Sequence, residues 1–380
     1  MTSELRVAAL IWALGPIAGL ARAEAPPRAY DGLPRVAVQL FAAGLAQFET
    51  HETPSSGLGP VFNEDSCSTC HSRPVTGGSS ETVVIRFARL GKDGFDVLAE
   101  RGGPVVQGRG VVTDACAVAG EVVPSEATIV AHRETPPLYG LGLIDTIPDG
   151  QILRLADPDD RDGDGISGRP NLVRGRVGRF GWKAQVVTLR QFAASAYLNE
   201  IGMTSPDFPD ELPPQGGAVS CDGARDPEDD GSRIDAVTRF MLLLAPLPGT
   251  ARMAALRAGR IEFHRAGCER CHATRLRAGR THPARAVRGR RVLMFSDLLL
   301  HDMGPELADG IAQGFATGSE FRTTPLWGAR ASGPYLHDGR AATLEAAILL
   351  HGGESATSRD RFLGLPTSAR AALIQFLGSI

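Results

Sequence analysis

The sequence predicts a mainly helical chain of two domains, the first carrying long irregular and short β insertions. Three observations carry that expectation. Apolar residues recur at helical spacing in stretches such as 35–48, 234–244, 250–266 and 368–378. The pattern Cys-x-x-Cys-His occurs twice, at 67–71 and 268–272, and a helical stretch precedes each copy. A break, Pro246-Leu247-Pro248-Gly249, separates the two copies. The expected domains are residues 24–245 and 250–380, related by duplication of one unit with heavy insertion in the first copy.

The elements follow in order. Residues 1–23 have a weakly positive start, an apolar run from Val7 to Leu20 and a small-x-small end at Ala21-Arg22-Ala23. That run is too short to span a bilayer, and the pattern predicts a cleaved signal peptide and a periplasmic protein without stable membrane insertion. Residues 24–34 are Pro-rich. Residues 35–48 place Val36, Leu40, Gly44 and Phe48 on one helical face. Residues 83–90 and 104–112 read as short strands. Residues 136–156 end in a short helical pattern, and 185–201 look helical. Residues 204–235 are rich in Pro, Gly and Asp and read as a long ordered loop. The second half opens on a helix carrying Met253, Leu256, Gly259 and Phe263. It closes on one carrying Leu373, Phe376 and Leu377.

Composition narrows the function. The 380 residues carry a net charge of −3, which argues against a nucleic-acid partner. Six cysteines are too few for a disulfide scaffold. Aromatic residues make up only 6%, so something other than aromatic rings fills part of the interior. The two Cys-x-x-Cys-His motifs supply it. Two thiols three positions apart meet the two vinyl groups on one porphyrin edge, and the adjacent imidazole ligates the iron. A zinc site would place its Cys pairs some 15–20 residues apart. A redox dithiol has no need of a His after both copies. The expected cofactors are two covalently bound haem c groups, held by Cys67, Cys70 and His71 and by Cys268, Cys271 and His272.

Further segments resemble the bacterial di-haem oxidoreductase family, described as peroxidases and as thiol oxidoreductase-like, and related to di-haem cytochrome c peroxidases. They are GLGPVFNEDSCSTCH, GLGLIDTIPDGQI, DGDGISGRPN, GRFGWKA, FSDLLLHDMGPELADG and FRTTPLWGARASGPYLHDGRAATLEAAILLHGGE. The resemblance runs from about residue 30 to the end. It implies a cytochrome c-like fold for each domain. It also implies an oxidoreductase in which electrons pass from the C-terminal haem to an N-terminal haem that reduces peroxide or a similar small oxidant. The alternatives are a non-catalytic electron-transfer cytochrome and a di-haem oxidase acting on a protein partner.

Axial ligands separate these readings, because a haem with an exchangeable site binds small ligands and a saturated one only passes electrons. Met303, 31 residues after His272, is the expected distal ligand of the second iron, with His301 as its rival. His51, His132 and Met203 share the first domain, but none is an obvious partner for the first iron. Glu134 and His132 are the candidate catalytic acid and base there. His337 and His351 are expected to make propionate or loop hydrogen bonds, and Arg340 to pair a propionate. Trp182 and Trp327 are either electron relays or core residues.

Asp160, Asp162 and Asp164, followed by Gly165, match the first half of a calcium loop, with Asn171 where its bidentate Glu would stand. The expectation is one bound calcium ion. Cys116 and Cys221 are left for a disulfide. Residues 252–291 hold twelve Arg against Glu262 and Glu269. They form either a solvated, propionate-pairing surface or a docking patch for an acidic electron donor such as a small cytochrome c or cupredoxin.

Overall fold

The computed structural model describes residues 26–380 apart from 93, 104, 219–223 and 251–255. The expected signal peptide, Met253 and Cys221 lie outside the described residues. Helix makes up 32% of the chain, small sheets add a little, and ordered loops form much of the rest.

The helices in chain order are α1 (Arg35–Phe48), α2 (Cys67–Cys70), α3 (Leu141–Asp145), α4 (Asp149–Leu153), α5 (Leu189–Ala196) and α6 (Ser232–Leu243). The second half adds α7 (Arg257–Arg265), α8 (Leu344–Leu349), α9 (Ala356–Leu363) and α10 (Thr367–Leu377). Among the described residues no helix is long and apolar enough to cross a membrane.

Two helix pairs frame the molecule, and they use the same device. In α1, Gly44 lies against α6: a Cβ there would strike the Ala236 carbonyl and come within 2.9 Å of Phe240 Cβ. In α7, Gly259 lies against α10: a Cβ there would strike the Ala372 carbonyl and come within 2.6 Å of Phe376 Cβ. Four residues after each glycine stands a phenylalanine. Phe48 has its ring 5.0 Å from Phe240 and 6.1 Å from His71. Phe263 has its ring 5.6 Å from Phe376 and 6.4 Å from His272. Glycine permits close backbone approach, and the phenylalanine one turn on carries that contact to the imidazole.

The strands are short. β1 (Val61–Phe62) pairs with β4 (Arg109–Gly110). β2 (Val83–Gly91) lies between β3 (Gly94–Asp96) and β7 (Ile129–Glu134), with Val83 opposite Glu134. β5 (Val112–Thr113) pairs with β6 (Cys116–Ala117), and β8 (Leu172–Val173) with β9 (Arg176–Val177). β10 (Leu300–Asp302) pairs with β11 (Glu320–Arg322).

The larger core gathers Phe41, Phe48, Ile144, Leu189, Tyr197 and Phe240, and it draws in Leu276, Met294, Leu298 and Trp327 from the second half. A smaller core holds Leu256, Phe263, Phe295, Phe362, Leu373 and Phe376.

The expected elements need four corrections. The buried face of α1 is Phe41, Gly44 and Phe48, while Val36 and Leu40 are exposed. The Gly44 contact fixes the rotation of α1 and carries those two residues outward. The stretch 104–112 holds two two-residue strands rather than one continuous strand. Residues 185–201 form α5 and then a π-helical turn at Tyr197–Ile201. Finally, α8 and α9 were not anticipated.

Candidate functional site

α2 is a single turn started by Ser66, whose hydroxyl accepts a hydrogen bond from Ser68 N. It sets Cys67 and Cys70 one turn apart, with His71 at its end. His71 Nδ1 lies 3.0 Å from the Gly78 carbonyl, and the Pro136 carbonyl lies near the ring. The second motif begins with a 3₁₀ turn at Cys268–Arg270, and His272 Nδ1 lies 2.9 Å from the Phe295 carbonyl. A backbone acceptor at Nδ1 fixes the tautomer and leaves Nε2 with a lone pair to give. Burial pushes both imidazoles down to about 4, so both are neutral at physiological pH. Burial pushes the Cys67, Cys70 and Cys268 thiols up to about 12. Such thiols are not the thiolates that disulfide exchange requires.

A cavity of about 250 Å³ opens beside the second motif. Cys268, Cys271 and His272 line it together with Met303, His301 and His351. These three candidate donors differ in what they have free. His301 is 3% exposed, with Nε2 2.9 Å from Asp297 and Nδ1 2.8 Å from Glu354. Burial works against its charge, but the Asp297 carboxylate and the Cys271 sulfur raise its pKa well above the usual value. It is an imidazolium committed to two carboxylates, with no lone pair for a metal. His351, just past α8, instead gives Nδ1 to the Ala347 carbonyl at 2.7 Å, and burial lowers its pKa. It is a neutral imidazole in the same wall as His272, and the two are close enough to interact electrostatically. Met303 shares the wall. From the sequence His351 has a hydrogen-bonding role, and its place in the same wall as His272 depends on which face of α8 meets the cavity, which the order of residues does not say.

Arg322 also lines the cavity, and burial pushes it down to about 10. Its Nε and Nη1 donate to the Gly181 and Thr323 carbonyls, both at 3.1 Å. Arg340 is instead exposed and bonded to Asp338. Arg322, with Arg359 in the same lining, gives the cavity positive charge that a carboxylate could meet.

The cavity wall continues through Trp182 and His337 to Glu134, Thr135, Pro136 and Pro137. Pro136 therefore borders both motifs, with its carbonyl near the His71 ring and its residue in the wall that His272 enters. Trp182 Nε1 donates to the Glu134 carbonyl at 3.2 Å. Trp327 packs against Gly140 in the larger core, away from this wall. His337 stacks on Phe321 with centroids 4.2 Å apart.

Glu134 is 5% exposed, and its Oε1 has no hydrogen-bond partner. Burial first, then the nearby Asp338 and Glu81 charges, push its carboxyl up to about 8. His132, two residues earlier on β7, faces solvent, so the structure does not bring it to Glu134's cavity. His51 pairs with Asp65 at 2.9 Å on the surface. Met203 is fully buried in the larger core.

The carboxylates of Asp160, Asp162 and Asp164 converge to within 4.8 Å. Asp164 also pairs with Arg270 of the second motif at 2.8 Å. Asn171 is fully buried and committed elsewhere: Nδ2 donates to the Lys183 and Gln313 carbonyls, and Oδ1 accepts from Phe315 N. Cys116 is disulfide-bonded, whereas the four motif cysteines are free.

A neutral imidazole, a second imidazole and a desolvated guanidinium around an apolar cavity fit an iron porphyrin, with its planar apolar body and carboxylate edge. A second thiol-flanked imidazole reached by the same wall makes the class a di-haem redox protein. The chain belongs to the family described as "Di-haem oxidoreductase, putative peroxidase", whose profile matches residues 115–380. That match contains the second motif, and the first lies on its N-terminal side. No curated protein matches the chain significantly. Among solved structures, Kuenenia stuttgartiensis hydrazine synthase pressurised with 20 bar xenon is similar with a TM-score of 0.42 at 16% identity, covering 100% of both chains. A MauG-like protein associated with microbial copper homeostasis gives a TM-score of 0.42 at 18% identity, covering 97% of this chain and 94% of its own.

Proposed function

We propose that this chain is an exported di-haem c-type oxidoreductase that reduces peroxide or a similar small oxidant with electrons from a small redox protein. Cys67 and Cys70 would hold one haem through thioethers, with His71 on its iron. Cys268 and Cys271 would hold the other, with His272. His351, which shares the cavity wall with His272, would be the second donor to that haem, and Met303, in the same wall, is the second reading. Each of the two units, 24–245 and 250–380, is a cytochrome c-like domain. The repeated Gly–Phe contact of α1 on α6 and α7 on α10 supports that reading.

When bound, the haems supply one-electron redox chemistry. The chain's own groups do the rest. His71 and His272 would hold the irons from tautomers fixed by the Gly78 and Phe295 carbonyls. Arg322 offers its charge to a carboxylate. Pro136, shared by both centres, supports electron passage from the second haem to the first. Hydrogen peroxide takes two electrons and two protons to give two waters. Glu134, two residues before the Pro136 that borders His71, would hold a proton on its buried carboxyl through the neutral range and deliver it toward the first centre. The observation that carries the proposal is the single wall running from His272 to Pro136 and Glu134. Asp160, Asp162 and Asp164 are proposed to take one calcium ion, which a thermal shift on adding calcium and its reversal by chelator would reveal.

The test is a pyridine haemochrome assay with paramagnetic resonance and peroxide turnover on protein made in cells that mature c-type cytochromes. Two thioether haems per chain and a centre that becomes high-spin on half-reduction support the proposal. Two haems that stay low-spin throughout make the chain an electron carrier instead.

A further inference from the structure

Phe295 has two roles that meet at one residue. Its carbonyl holds His272 Nδ1. Its residue also lines a surface groove with Trp327, Leu293, Leu247, Arg290 and Arg291. Its backbone lies at φ +54°, a left-handed conformation that costs a phenylalanine energy and is retained where surroundings impose it. Leu293 is half exposed at the groove's rim.

The surroundings of the groove are strongly basic. Eleven arginines between 257 and 291 are exposed, and among the described residues only Arg265 and Arg270 have an acidic ion-pair partner. The two acidic residues of the stretch do not offset them. Glu262 is buried, and Glu269 bonds His264. The loop is held in shape by its backbone: Ala278 N donates to Arg290 O at 3.0 Å and Val292 N to Leu276 O at 2.9 Å. The chain as a whole has a net charge of −3, so this positive face belongs to an otherwise acidic molecule.

We infer that the groove at Arg290, Arg291 and Leu293 is the docking site of an acidic redox protein, and that its electron reaches the second centre through Phe295 and His272. The apolar rim excludes water at contact, and the arginines steer and orient a partner with a carboxylate-rich face. No bond forms or breaks. The partner's reduced metal centre loses one electron, and the ferric iron held by His272 gains it. This deepens the proposed function and rests on its second haem.

The experiment uses the purified di-haem protein and, as probe, a reduced acidic small cytochrome c. Reduction followed by stopped flow is expected to slow by about ten-fold between 10 and 200 mM salt. R290E/R291E is expected to cut the second-order rate at least about ten-fold and to weaken probe binding in calorimetry. The control R35E/R174E, with the same charge change on exposed residues elsewhere, should leave that rate within about two-fold. Dithionite, which needs no docking, should reduce all three proteins alike. A salt-independent rate overturns the inference, as does equal slowing in the control. Salt-sensitive self-association with no change in probe binding also overturns it and makes a second copy the occupant. Loss of the second haem from the wild-type haemochrome assay would instead refute the underlying reading.

Discussion

His301 and His351 reach the same cavity, yet their hydrogen bonds give them opposite chemistry. Two carboxylates favour the charged form of His301, whereas burial favours the neutral form of His351, whose Nδ1 donates to the Ala347 carbonyl. H351A is therefore expected to change the second haem's spin state in paramagnetic resonance, and M303A to leave it low-spin; the reverse pair of results would make Met303 the ligand. Glu134 makes a prediction in pH. Its carboxyl has a usual value of 4.5 and rises to about 8 in the folded chain, with Asp338 and Glu81 as its charged neighbours. Stability linked to a raised group is complete below the unfolded value and is lost as pH climbs through the folded one. E134Q removes that loss. Above pH 8 the variant should exceed wild type by about 1–3 kcal/mol in denaturant melts. Its peroxide turnover should fall at neutral pH and lose the decline that wild type shows through pH 8. At this scale the Cys-x-x-Cys-His residues stand out in the sequence because their spacing is local. Glu134 and His351 were both named from the sequence, but the cavity they share was not, because it depends on contacts far along the chain from the motif.

The helix pairs show what periodicity can and cannot reveal. The pattern over 35–48 located α1 to the residue, but it put Val36 and Leu40 inward, where the structure exposes them. Apolar spacing is degenerate by a fraction of a turn, and the contact at Gly44 breaks the tie. The same pattern over 250–266 gave Leu256, Gly259 and Phe263 as buried, as they are, because that face meets α10 and the small core. G44V and G259V should each destabilise the protein by about 1–3 kcal/mol through overpacking. Each should also perturb chiefly the optical bands of its own centre, through Phe48 and His71 in one case and Phe263 and His272 in the other. Equal perturbation of both centres by either variant would contradict the pairing. The short strands were poorly legible. Their pairings, such as β10 with β11, join loops, and no alternation marks them.

On the scale of the molecule, C268A/C271A is expected to give one haem per chain by pyridine haemochrome, to keep the first centre's spectrum and to abolish peroxide turnover. Retained turnover with one haem would remove the need for a second centre. The repeat of Cys-x-x-Cys-His was legible because the motif is short. The joining of the halves was not, because it depends on which loop fills the space beside α3 and α6. Leu276, Met294, Leu298 and Trp327 fill that space in the larger core. Arg270 grips Asp164, and Ser167 bonds Glu354. A ribosome finishing the first half would thus hold a nascent body with an open greasy flank, closed only when residues near 300 emerge. Separately expressed halves should precipitate alone and recover when mixed, and grafting either half onto a foreign sequence should fail unless this seam travels with it.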